Sequence, residues 1–189
     1  MTEAPLRLAV IIGSTREGRV GDRVARWFVE RARRRAGVDV TVLDLADFAF
    51  PAGYPACATP AMSSFAAAVA RADAFVVVTP EYNHSFPASL KQAIDFAYDE
   101  WHAKPVGFVS YGCRSEGAHA VDQLRTVFTA LHAVTMRDVV GVDLLASPDD
   151  LDLRLCGDAP ERAAQVLLDQ LCWWGLTLRD GRDARPYVS

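Results

Sequence analysis

The chain has 189 residues, half of them apolar and 23% charged; that is enough for one core burying about 70% of the unfolded surface, and it is not the balance of a disordered or fibrous protein. A formal net charge of -4 offers no overall positive field to a polyanion, so nucleic acid is not an expected partner. Four cysteines, Cys57, Cys113, Cys156 and Cys172, form no CxxC pair or His-Cys cluster, which points away from a zinc site or a disulfide framework and towards a reduced, cytoplasmic setting.

Leu6 to Ile12 is an apolar run, far short of the roughly 20 residues that span a bilayer, and it reads as a buried strand. It enters Gly13-Ser14-Thr15-Arg16-Glu17-Gly18-Arg19 instead of a cleavage site. A first helix is predicted on the stripe Val20, Val24, Trp27 and Phe28; it ends in the basic run Arg31 to Arg35, where cations complement the helix dipole. A second strand is expected from Val38 to Leu43, and Phe50 to Pro60, with three prolines and a glycine, reads as a loop. Phe65, Ala68, Val69 and Ala72 mark a second helix, and Ala74 to Thr79 a third strand. Pro87 fits the first turn of a third helix carrying Leu90, Ala93, Ile94 and Ala97. After a fourth strand, Val106 to Ser110, a fourth helix carries Val121, Leu124, Phe128 and Leu131, and a fifth strand runs from Thr135 to Val140. The last helix is expected on Ala163, Val166, Leu167, Leu171, Trp174 and Leu178, with a frayed tail after Gly181. Trp101 and Trp173 fall off these stripes, which suits either exposed interface tryptophans or satellite packing under the terminal loops.

Strand-length apolar runs alternating with helix-length stripes predict an α/β fold, one domain over residues 1–189, with a parallel sheet covered on both faces and the first, third and fourth strands central. The flavodoxin-like three-layer arrangement, five strands in the order 2-1-3-4-5, is one of two common solutions. It puts a ligand beyond the carboxyl ends of the strands, where the first and third meet, so the loops after strands one, three and four must carry the site.

Those loops are chemically unusual. The first combines two hydroxyls, Ser14 and Thr15, with the guanidinium groups of Arg16 and Arg19 at the start of a helix, a setting suited to a phosphate monoester. It has neither Walker A nor GxGxxG spacing. The second, Pro80-Glu81-Tyr82-Asn83-His84-Ser85-Phe86-Pro87, is stiffened by two prolines and offers flat apolar surface at Tyr82 and Phe86. The third, Ser110-Tyr111-Gly112-Cys113-Arg114-Ser115-Glu116-Gly117, has two glycines that permit close backbone approach and three hydroxyls. Together they favour a phosphate-bearing aromatic cofactor.

Gly13-Ser14-Thr15-Arg16 with Arg19, Pro80-Glu81-Tyr82-Asn83, Ser110-Tyr111-Gly112, and also Lys91-Gln92-Ala93-Ile94-Asp95 resemble the NAD(P)H-dependent FMN reductase family of quinone, azo-dye and chromate reductases, from Leu6 to about Val140. The resemblance implies that Ser14, Thr15, Arg16 and Arg19 hold the FMN phosphate. It further implies that Pro80, Glu81, Tyr82 and Asn83 line the isoalloxazine and ribityl chain, and that Ser110, Tyr111 and Gly112 meet the ring from the other side. Cys113 and Glu116 stand where similar proteins usually have glycine; with no cysteine near it in sequence, Cys113 reads as a small apolar residue. Hydride from NADPH or NADH would pass through the flavin to a small acceptor, with no catalytic side chain and no metal required. Arg114 and Arg125 suit the phosphates of NADPH. The alternatives are a flavodoxin-type electron carrier, against which the many arginines speak, and a flavin-dependent sensor. A homodimer or dimer of dimers in the cytoplasm, with no membrane partner, completes the expectation.

Overall fold

The computed structural model describes residues 4–144 and 155–188. Its sheet has five strands: β1 (Leu6–Ile12), β2 (Val38–Asp44), β3 (Ala74–Pro80), β4 (Pro105–Gly112) and β5 (Val134–Asp143), all pairing in parallel in the order β2-β1-β3-β4-β5. The predicted order and the central placement of β1, β3 and β4 are therefore observed. β3 and β4 are buried along their whole length, which is why they read as unbroken apolar runs.

Helices α1 (Gly21–Arg34) and α5 (Asp158–Ala184) cover one face; α2 (Pro60–Arg71), α3 (Ala88–Asp95) and α4 (Ala118–Ala130) cover the other. Alternating side chains of each strand supply the two cores: Leu8, Val10 and Ile12 of β1 face α1, while Ala9 and Ile11 face α2 and α3. The basic end of α1 is a tie between helices. Arg31 lies 4.2 Å over the Trp27 ring and pairs with Glu161, and Arg35 pairs with Asp169 of α5.

Four expectations are corrected. Pro87 is the residue before α3 and not part of its first turn. Trp101 is fully buried, its indole N–H donating to Ile94 O and its rings packed against Phe75 and Phe128; it was misjudged because it sits in a short 3-10 turn that has no helical stripe. The phase of α5 is rotated by about one position: Ala164, Leu167, Leu168, Leu171 and Gly175 face the sheet, while Val166, Trp173 and Trp174 are exposed. Gly175 fits this phase, because a Cβ there would stand 2.6 Å from Leu6 Cδ1 and could be seated only by moving the Leu6 side chain. Finally, α5 continues past Gly181 to Ala184, and the Tyr187 hydroxyl lies 2.9 Å from His132 Nδ1. No helix among the described residues is long and apolar enough to cross a membrane.

Candidate functional site

The loops after β1, β3 and β4 meet at the carboxyl end of the sheet around a cavity of about 360 Å³, within the range of small-ligand sites. Ser14, Arg16, Gly18 and Arg19 of the first loop line it, with Pro80, Glu81 and Tyr82 of the second and Tyr111, Gly112 and Cys113 of the third. The strand ends hold these loops in register: Gly13 N–H donates to Val78 O, Glu81 N–H to Tyr111 O and Leu144 N–H to Gly112 O.

The first loop divides its duties. Ser14 is buried and its hydroxyl lies 3.2 Å from that of Tyr82, joining loops one and two. Arg19 is held by Asp44 in a two-pronged ion pair and also donates to Ser14 O, so it braces the loop while lining the cavity; Asp44, at the end of β2, gave no signal in the sequence. Arg16 is exposed and has no ion pair among the described residues. No side chain caps the amino end of α1, where Val20 stands and lines the same cavity, so its first N–H groups have no side-chain partner. Thr15 is exposed and does not line the cavity.

In the second loop, Tyr82 and Ser85 exchange N–H to C=O bonds of 2.8 and 3.0 Å, with Asn83 and His84 at φ 50° and 62° between them. Two consecutive left-handed residues make a mirror-image hairpin turn. It presents the half-exposed ring of Tyr82 to the cavity and turns Asn83 away from it.

Burial would push the Glu81 carboxyl up, yet hydrogen bonds from Ser115 and His119 outweigh it and hold the group below the usual carboxylate range. It accepts from the N–H of His119 at 3.1 Å, capping α4.

Gly117, at φ 86°, has no room for a side chain: a Cβ would stand 2.6 Å from Ser110 Cβ and 2.9 Å from Tyr111 N. Ser110 points to the α4 side and donates to Glu116 O at 2.8 Å. It borders a separate cavity of about 220 Å³ with Glu116, Val121 and Arg125, because alternation along β4 sends residues 110 and 111 to opposite faces. Tyr111 points towards α1, where its hydroxyl is buried with no hydrogen-bond partner among the described residues. Burial pushes its phenol up, so it is a neutral donor.

Arg125 is committed to Thr135, Met136 O and Arg137 O of β5 and is not presented to a phosphate. Cys113 is exposed on the cavity rim and not packed as a small apolar residue. His84 and His119, which sequence reasoning did not assign to the site, stack with centroids 4.1 Å apart beside Glu81. Thirty-five positions separate them in the chain, so spacing gave no hint.

Residues 6–145 match the NADPH-dependent FMN reductase family. Among curated proteins, an NAD(P)H-dependent FMN reductase of Schizosaccharomyces pombe is 35% identical over 130 residues, 64% of this chain and 64% of that protein, so the chain spans just under two thirds of that relative's length. A 2-hydroxy-1,4-benzoquinone reductase of a Burkholderia species is 31% identical over 94% of this chain and 98% of its own. Among solved structures, FerB of Paracoccus denitrificans, a flavoenzyme NAD(P)H:(acceptor) oxidoreductase, superposes with a TM-score of 0.68 at 20% identity, covering 93% and 98% of the two chains. With the family match extending from β1 to the end of β5, the chain belongs to the NADPH-dependent FMN reductase family.

Proposed function

We propose that the cavity at the carboxyl end of the sheet holds FMN, and that the protein is an NAD(P)H-dependent oxidoreductase acting on small acceptors such as quinones. The observation that carries this reading is the convergence of the three loops on one cavity with an uncapped helix start and an exposed arginine at its edge. That donor set fits a phosphate monoester. A neutral, unpartnered Tyr111 hydroxyl and the Tyr82 ring beside it fit a polar aromatic body.

Bound FMN would supply the redox chemistry, taking a hydride from a reduced nicotinamide and passing reducing equivalents to the acceptor. The polypeptide's part is placement. Arg16 and the N–H groups at the start of α1 bind the phosphate end, and Thr15 joins them if its exposed hydroxyl turns inward. Arg19 with Asp44 keeps the first loop in shape. Pro80, Glu81 and Tyr82 form the wall on the β3 side, with Asn83 shaping the turn behind them, and Tyr111 and Gly112 the floor on the β4 side. Ser110 contributes from behind by fixing Glu116 O, so that Gly117 lies close under the third loop. No side chain has to move a proton to the flavin.

The exposed Trp173, Trp174 and Val166 on the outer face of α5 support a homodimer, and the absence of a membrane-spanning helix among the described residues agrees with a cytoplasmic enzyme. Visible absorption of the purified protein under nitrogen tests the reading: a yellow chromophore should bleach on addition of NADPH and recover on addition of a quinone. Arg16→Ala should weaken FMN retention while circular dichroism stays unchanged. A protein that titrates with FMN without heat would refute it.

A further inference from the structure

We propose that Glu81, His84 and His119 form a binding site for a divalent transition-metal cation such as Zn2+. Among the described residues this is the one group of three or more His, Cys, Asp or Glu whose ligand atoms all lie within 4.8 Å of one another. Two imidazole nitrogens and one carboxylate oxygen select Zn2+, Co2+, Ni2+ or Cu2+ over Mg2+ and Ca2+, which prefer oxygen. Three protein ligands leave a fourth position for water, the arrangement of an open zinc site.

The support around the three ligands is already built. Glu81 Oε2 accepts the backbone N–H of His119, which turns Oε1 towards His119 Nδ1 at 3.1 Å. The His84 carbonyl accepts from Gln123 Nε2 at 2.8 Å, and Gln123 Oε1 accepts from the Ser85 hydroxyl at 2.6 Å. Both histidines are thus anchored to the first turns of α4, and their rings stack at 16° with centroids 4.1 Å apart; because a metal binds in the plane of an imidazole, the His84 ring has to swing out of the stack to ligate. Tetrahedral ligands about 2.0 Å from one centre lie roughly 3.3 Å apart. The Glu81 and His119 atoms meet this already, so His84, exposed at the tip of its turn, supplies the adjustment. The cation takes the place of the proton between His119 Nδ1 and Glu81 Oε1, and that proton goes to solvent. Such a clamp would join the second loop to α4. All three ligand atoms belong to the polypeptide, so this site stands or falls independently of the flavin assignment.

Calorimetric titration of the purified protein with Zn2+ tests the site. The expected result is one equivalent bound, with affinity lowered by about 100-fold or more in His84→Ala and in His119→Gln, at least what loss of an outer-shell partner costs. Affinity should be retained in Cys113→Ser and in His132→Ala, which removes the other histidine pair, His102 and His132. Zn2+ should also raise the melting temperature of the parent protein and not that of His119→Gln. No binding by the parent protein, unchanged affinity in both site-histidine variants, or loss of binding in Cys113→Ser would overturn the assignment.

Discussion

The two ends of the sheet handle charge in opposite ways and carry strain unequally. At the amino end, Asp73 is fully buried beside Arg7, Arg179 and Arg182, and Lys104 donates to Val69 O and Ala70 O in the last turn of α2. Every one of these charges has a partner inside the protein. At the carboxyl end, Arg16 is exposed without an ion pair among the described residues and the Tyr111 hydroxyl has no partner there. Positive φ is also more frequent at this end: among the described residues Gly18, Asn83, His84, Arg114, Glu116 and Gly117 lie in the three loops, against Gly37, Ala103 and His132 at the amino end. Strained backbone persists where the surrounding structure over-determines it, and such places cluster at binding sites. One end is a lock of internally partnered charges and the other a surface prepared for a ligand.

The largest effect that would test this contrast is expected at the lock. Asp73→Ala should cost about 3 kcal/mol, because it takes the counter-charge from the largely covered Arg179 and Arg182 beside Lys104 and from the more exposed Arg7; urea denaturation measures it. Arg16→Ala, at the other end, should leave the urea midpoint where it was. Within the site, Gly117→Ala should cost about 1–3 kcal/mol, since the added Cβ meets Ser110 and the Tyr111 backbone, and it should displace the third loop, lowering FMN retention. Gly18→Ala is the control: φ is 65° but the space is open, so only the left-handed conformation is penalised, by about 1 kcal/mol.

Much of this architecture could be read in the sequence because it rests on local patterns. Strands buried on both faces give unbroken apolar runs, and the strand order then places the three loops together before any coordinate is known. What could not be read is pairing at a distance. Nothing in the sequence pairs Arg19 with Asp44, and Arg125 looks available until the β5 carbonyls claim it. Trp101 lacks a stripe because a 3-10 turn carries it, and the His84–His119 stack joins two loops that no spacing rule connects. The direction of Ser110 was available from strand alternation, which puts it opposite Tyr111.

The lock should also show in the pH dependence of stability. Burial alone would raise the Asp73 carboxyl, but hydrogen bonds and charge from Arg7, with Arg179 behind it, hold it below its ordinary value. Its stabilisation is therefore present above the ordinary carboxylate range and is lost as pH falls through the folded value, so Asp73→Asn should flatten the acid limb. Lys104 behaves in the reverse sense. Burial, then the charge of Arg182, lowers it to about 8 from 10.5. Between those values the unfolded chain holds a proton that the folded protein has released, so stability rises with pH, by at most about 1.4 kcal/mol per pH unit for one proton. Lys104→Met should lack that rise in urea midpoints measured from pH 7.5 to 10.5.

The smallest effect is expected at Glu116, and it asks whether strain at the open end serves the fold or only the site. Glu116 is a non-glycine residue at φ 53°, where the left-handed conformation costs roughly 1–2 kcal/mol. Glycine would relieve that cost but lose about 0.5–1 kcal/mol through greater freedom in the unfolded chain. Glu116→Gly should therefore be neutral to stabilising by up to about 1 kcal/mol, with the Ser110 to Glu116 O bond intact because it uses the backbone carbonyl. A clear loss of stability would mean that the Glu116 side chain, which lies against Gly141 of β5, is a structural strut, and that the open end shares more of the lock's character than its exposed arginine suggests.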